Sequence, residues 1–166
     1  MDAPTPTSAR SAAMKIKSVG VIGAGQMGNG IAHVCALNGY DVILNDVSQE
    51  QIDKALGTIH HNMERQVRRG VVDESEMDAA LKRIRTTMSI DDVKGCDIVI
   101  EAATENEEVK RDILKKLSDG LKADAIIATN TSSISITRLA AATDRPERFI
   151  GMHFMNPVPV MKLVEL

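Results

Sequence analysis

Val19-Gly20-Val21-Ile22-Gly23-Ala24-Gly25-Gln26-Met27-Gly28-Asn29-Gly30-Ile31-Ala32 decides how the rest of the chain is read. An apolar, partly β-branched run breaks off in glycines, and a helical pattern continues without a gap. Gly23, Gly25 and Gly28 have the spacing G-x-G-x-x-G, which suits a strand–turn–helix that holds a pyrophosphate. The first glycine allows the tight turn, the second lets phosphate approach the backbone, and the third lets helix pack closely on strand. The unpaired N–H groups of the first helical turn, from Gln26 and Met27 onward, point at the anion. Glycines also make ordinary turns, so the next element has to agree with them. A second apolar run, Asp41-Val42-Ile43-Leu44-Asn45, ends at Asp46, in the place where a carboxylate can accept the two hydroxyl hydrogen bonds of a ribose. The competing reading makes Asp46 a loop residue or a helix-capping partner.

Outward from that unit, strands and helices alternate. Strands are expected at Ser18–Ile22, Asp41–Asn45, Thr86–Met88, Cys96–Ala102, Ala125–Ala128 and Phe149–Phe154. The first helix runs from Gln26 to Leu37 and stops at Asn38-Gly39. Ser48 and Gln51 have capping-box spacing ahead of a long helix with an apolar face of Ile52, Ala55, Leu56, Ile59, Met63 and Val67. Asp73 with Glu76 opens another helix, through Ala79, Ala80, Leu81 and Ile84. These two helices read as a helical hairpin inserted between strands. Later helices start at Asn106 and pass through Leu139 and Ala142. Nearly continuous apolar strands separated by helices predict an α/β, Rossmann-type, doubly wound and mainly parallel sheet.

The 166 residues suit one domain that buries about 70% of its unfolded surface. Tyr40, Phe149 and Phe154 are the whole aromatic complement, so the core must be aliphatic. A net charge of −3 gives no bulk reason to expect nucleic acid or a membrane surface. Cys35 and Cys96 stand in no metal or redox spacing and read as reduced thiols of a cytoplasmic protein; no metal site is expected. Residues 1–14 read as a disordered leader ahead of a nucleotide-binding domain over 15–166. The apolar alternation of Val160–Leu166 looks like a strand or its lead-in, which predicts that the sequence has been cut there.

In such a sheet, ligands sit beyond the carboxyl ends of the strands. That singles out Glu105, then Asn130-Thr131-Ser132-Ser133, then His153 and Asn156. A histidine there can take a proton near neutral pH, and Glu165 on a neighbouring strand can fix its tautomer. From spacing alone, a lone histidine at a strand end is more often a satisfied structural residue than a catalytic one. His33, His60 and His61 lie on helices and read as solvent-facing or packing residues.

Gly-Ala-Gly-Gln-Met-Gly (23–28), Ile-Glu-Ala-Ala-Thr-Glu-Asn (100–106), Thr-Asn-Thr-Ser-Ser (129–133) and Met-His-Phe-Met-Asn-Pro-Val-Pro-Val-Met-Lys-Leu-Val-Glu-Leu (152–166) resemble the 3-hydroxyacyl-CoA dehydrogenase family. The resemblance implies NAD as cofactor and L-3-hydroxyacyl-CoA, 3-hydroxybutyryl-CoA in particular, as substrate, in fatty-acid or butanoate metabolism. It makes His153 the base, Glu165 its partner, Ser132 the ligand of the C3 oxygen and Asn156 a neighbouring motif position. Asp46 becomes the adenosine-ribose ligand, and Glu105, Lys110 and Asn130 line the nicotinamide-ribose side. Arg65, Arg68 and Arg69 can meet CoA phosphates, or form a solvated basic turn favoured by the helix dipole. Family members continue into a helical domain that supplies the homodimer interface, much of the acyl pocket and another catalytic Asn. This sequence does not extend that far, so little turnover is expected of it alone. A relative acting on a sugar acid such as L-gulonate, and a non-catalytic NAD-binding module, are the alternatives.

Overall fold

A computed structural model describes residues 15–131, 133–160 and 164–166, the last strand by its backbone alone. The expected leader over 1–14, Ser132 and residues 161–163 lie outside the described residues. Six strands, β1 (Ser18–Ile22), β2 (Asp41–Asn45), β3 (Ile84–Thr87), β4 (Ile98–Glu101), β5 (Ile126–Thr129) and β6 (Phe149–Gly151), form one sheet in the order β3-β2-β1-β4-β5-β6. All five ladders are parallel. The order reverses between β1 and β4, so their carboxyl ends open a crevice where a ligand can enter.

The helices α1 (Gln26–Leu37), α2 (Gln49–Arg68), α3 (Glu74–Arg83), α4 (Glu107–Ser118) and α5 (Ile136–Ala140) connect the strands. They create two apolar cores, one on each face of the sheet. Val19, Val21, Ile98 and Ile100 face α1, α2 and α3 with Ile31, Ile52, Ile59 and Met63. Val99 and Ile127 face the other way, among Val93, Leu114, Leu117, Leu139 and Phe149. Burial on both faces is why β1 and β4 read as unbroken apolar runs. The helical hairpin is α2 and then α3, with Ser48 Oγ accepting from Gln51 N at 3.3 Å.

Several details differ from the sequence expectation: β4 is shorter than Cys96–Ala102, β5 lies one residue later than Ala125–Ala128, and α5 stops before Ala142. Ile84 opens β3, pairing with Val42, and does not close α3, which shifts the third strand from 86–88 to 84–87. Asp73 precedes α3 without a side-chain cap hydrogen bond. The expected sixth strand is two pieces. β6 ends at Gly151, and β7 (His153–Phe154) pairs antiparallel with β8 (Val164–Glu165) as a separate ribbon. Met152 N still donates to Thr129 O at 2.9 Å, so the chain leaves the sheet at His153.

Candidate active site at the carboxyl edge of the sheet

The glycine turn is built by close approach. Gly23 has φ +103°, a conformation that L side chains rarely adopt, and its N–H donates to Asn45 O at 2.8 Å. A Cβ on Gly28 would lie 1.6 Å from Gly23 O, so any larger residue would push α1 off the turn. At Gly25 the reverse holds. A Cβ there would meet nothing within 4 Å, leaving the space that an approaching phosphate needs. Gln26 and Met27 come next as the first turn of α1, whose start has no side-chain cap. Its N–H groups are therefore open to an anion.

Asp46 joins this turn to the next element. Its Oδ2 accepts from Ala24 N and its Oδ1 from Ser48 N, both at 2.9 Å. The carboxylate thus braces the glycine loop and the entry to α2 while remaining partly exposed. Beside it opens a cleft of about 460 Å³ lined by Asp46, Val47, Met88, Ile90, Val109 and Ile113, among others. Val47 and Met88 are 84% and 53% exposed, and they present apolar surface at the mouth of this cleft, where a flat ring can lie. These apolar residues escaped sequence reading because they come from three separate segments, the β2–α2 connection, the β3–β4 connection and α4.

Past the ends of β4 and β5 the polar groups are interlocked. Lys110 is buried, and its Nζ donates to Glu101 Oε1 and Oε2 at 2.6 and 2.8 Å. Thr129 Oγ1 and Ala103 N also donate to Glu101, each at 2.8 Å. Lys110 therefore lies beneath the crevice, paired to a carboxylate that sequence reasoning passed over as strand interior. Glu105 is exposed and takes hydroxyl hydrogen bonds from Thr131 (2.8 Å) and Ser133 (2.9 Å), which tie the connection after β4 to the one after β5. Asn130 is 8% exposed, and its Oδ1 accepts from Phe154 N at 3.0 Å. Its side chain thus holds the β7–β8 ribbon to the end of β5.

On that ribbon His153 and Glu165 are register partners, directly opposite each other in the ladder. His153 is half-buried. Asn156 is exposed on the connection leaving β7, where its Oδ1 accepts from Gln26 Nε2 at 3.4 Å. Ser132 lies outside the described residues, between Thr131 and Ser133. Arg65, Arg68 and Arg69 are exposed around the last turn of α2. A helix of this length spans about 30 Å, so they stand far from the Asp46 end. Among the described residues no group of three or more His, Cys, Asp or Glu side chains is placed to hold a metal.

Residues 18–166 match the family model for the NAD-binding domain of 3-hydroxyacyl-CoA dehydrogenase. The chain belongs to this family. A 3-hydroxybutyryl-CoA dehydrogenase of Bradyrhizobium diazoefficiens is 63% identical over 151 residues, which are 91% of this chain and 52% of that protein. The alpha subunit of a fatty acid oxidation complex of Psychrobacter cryohalolentis is 46% identical over 91% of this chain and 21% of its own length. The crystal structure of (S)-3-hydroxybutyryl-CoA dehydrogenase from Ralstonia eutropha superimposes with a TM-score of 0.87 at 50% identity, covering 90% of this chain and 53% of that one. The chain thus spans about half the length of the 3-hydroxybutyryl-CoA dehydrogenase it matches. Family membership and the six-stranded parallel sheet agree: the dehydrogenase family's cofactor domain is what the glycine turn and Asp46 build.

Proposed function

We propose that this chain is the cofactor half of a dehydrogenase that interconverts L-3-hydroxyacyl-CoA, chiefly 3-hydroxybutyryl-CoA, and the 3-oxoacyl thioester. The observation that carries the proposal is the register of the ribbon, which opposes His153 and Glu165 next to the carboxyl ends of β4 and β5. NAD fits the residues present. Open space at Gly25, the uncapped start of α1 and the apolar cleft beside Asp46 suit pyrophosphate, adenosine and ribose in turn. When bound, the nicotinamide supplies a hydride acceptor.

The chain's own residues do the rest. His153 takes the proton of the C3 hydroxyl as that carbon is oxidised, and returns it in the reverse direction. Glu165 orients the imidazole and stabilises its cation, as the carboxylate of other oriented histidine bases does. Ser132 and Asn156 hold the C3 oxygen and its surroundings, and Glu105 holds the nicotinamide ribose. Asn130 keeps the ribbon in place, and Lys110 acts through Glu101 to fix the floor of the crevice. Arg65, Arg68 and Arg69 meet the phosphates of CoA.

Residues 15–166 form the NAD-binding domain. The acyl pocket and a homodimer interface belong to the further length that the matching 3-hydroxybutyryl-CoA dehydrogenase has. The reaction serves fatty-acid and butanoate metabolism in the cytoplasm. No described helix is long and apolar enough to cross a membrane. Steady-state oxidation of L-3-hydroxybutyryl-CoA and of L-gulonate by the whole protein, monitored at the NADH absorbance, tests the substrate. The thioester should be preferred by orders of magnitude in kcat/KM, and a preference for the sugar acid would overturn the reading.

A further inference from the structure

Gly30 lies outside the G-x-G-x-x-G turn, in the middle of α1, where glycine costs about 1 kcal/mol relative to alanine. Its surroundings supply a reason for it. A Cβ at this position would lie 2.8 Å from Val158 Cβ, 3.1 Å from Val158 Cγ2 and 3.5 Å from Pro159 Cδ. The nearest of these is the branch carbon next to the backbone, not the tip of a flexible chain, so it cannot step aside without moving the loop. Val158 is 4% exposed, and Gly30 is buried. One turn earlier on the same face of α1, Gln26 reaches Asn156. Helix α1 therefore receives the connection that leaves β7.

We infer that Gly30 is a notch that seats Val158 and so fixes the His153 ribbon against the helix that begins with the phosphate-binding turn. Gly30 is then a positioning residue for the dehydrogenase site, and the inference rests on the function proposed above. The ribbon is gripped from two sides. Phe154 N is tied to Asn130 at the end of β5, and Val158, four residues on, is keyed into α1. His153 precedes the first grip by one residue. Because α1 both presents the glycine turn and locates Val158, it sets the distance from the pyrophosphate to the proton acceptor. Such supporting contacts matter because displacing a reacting group by about 1 Å can cost 10²-fold in rate.

The test uses the chain as it stands, isotope-labelled, with the imidazole resonances of His153, His60 and His61 assigned, and with NADH and ADP-ribose titrated separately. Gly30→Ala should shift the His153 resonances and leave those of the exposed His60 and His61 unchanged. It should weaken NADH by about threefold or more, a coupling expected of packed neighbours, while ADP-ribose stays within about twofold. Val158→Gly empties the notch and should disturb His153 as well. The double variant places the new Cβ where the Val158 side chain was, and should return both readouts toward wild type. A folded Gly30→Ala with wild-type His153 resonances and NADH affinity would overturn the inference, as would losses that simply add in the double variant. Should Gly30→Ala fail to fold, Val158→Gly and Val158→Ala decide it, and an unmoved His153 in both overturns it. Failure of the unmutated chain to bind NADH would refute the cofactor reading instead, leaving the His153 shifts as the test of the seat.

Discussion

Individual side chains at the carboxyl edge of the sheet hold the site by charge as much as by shape. Lys110 and Glu101 are both removed from water, so each depends on the other. Lys110→Met should therefore cost about 3–5 kcal/mol of stability, because it leaves Glu101 buried and unpaired. Adding Glu101→Gln should recover much of that loss, and urea denaturation of both variants checks the pattern. Asp46 makes the opposite kind of contribution, through two backbone N–H groups, beside which the ribose is proposed to bind. Hydrogen bonds to a charged group contribute about 1.5–3 kcal/mol, so Asp46→Ala should weaken NADH by about tenfold or more in calorimetry. The same change should narrow discrimination against NADPH, since the carboxylate that repels a 2′-phosphate is gone. NADPH binding tighter than NADH before mutation would contradict this account of Asp46. From the sequence, the ribose role and the helix-entry role of Asp46 looked like alternatives. The structure shows the second directly, through Ala24 and Ser48, and its partial exposure leaves room for the first.

At the scale of elements, the packing of α1 on α2 carries a titratable group that the proposed chemistry does not use. His33 on α1 is fully buried, with Nε2 2.8 Å from Gln66 Oε1 on α2 and Nδ1 without a partner among the described residues. Burial holds its pKa below the ordinary 6.5, against the opposing pull of Gln66. As pH falls through about 6.5, the unfolded chain takes up a proton that the folded chain refuses. Stability should therefore decline from near pH 6.5 downward and level off below the folded pKa. His33→Leu should flatten that slope in urea midpoints measured between pH 5 and 8; an unchanged slope would assign the acid sensitivity elsewhere.

The elements themselves were legible where the pattern was local. Gln26–Leu37 and Asp41–Asn45 match the observed α1 and β2, because glycine turns and apolar runs mark both ends of each. The break at Met152 was not legible, since Phe149–Phe154 is one apolar run with no turn residue after Gly151. Its division depends on a partner, Val164–Glu165, that is distant in sequence. The burial of His33 was equally hidden, because a polar residue on the inner face of a helix cannot be told from an outer one until the helix is docked.

For the molecule as a whole, two aliphatic cores clamp one parallel sheet, and the candidate functional residues that the structure describes, the three arginines apart, gather at its carboxyl edge. That edge is where the order of strands reverses, so the topology sets the location before any side chain is considered. The far edge is tied down separately. Asp97 accepts from Lys17 N at 2.8 Å and from Lys122 Nζ at 2.5 Å, and these donors hold its carboxyl down at about 2. Because this folded pKa is depressed, its stabilisation is complete above the unfolded value near 4 and is lost as pH falls toward 2. Asp97→Asn should remove that part of the acid transition monitored by circular dichroism, and an unaltered transition would contradict it. The central claim is that His153 and Glu165, opposed on the ribbon at the other edge, work as one proton-transferring unit. Acetoacetyl-CoA reduction by the whole protein, compared across His153→Ala, Glu165→Ala and the double variant, tests it most directly. Loss of a general base costs about 10²–10⁴-fold in kcat, and the double variant should be little worse than either single one. Losses that multiply in full would contradict the account.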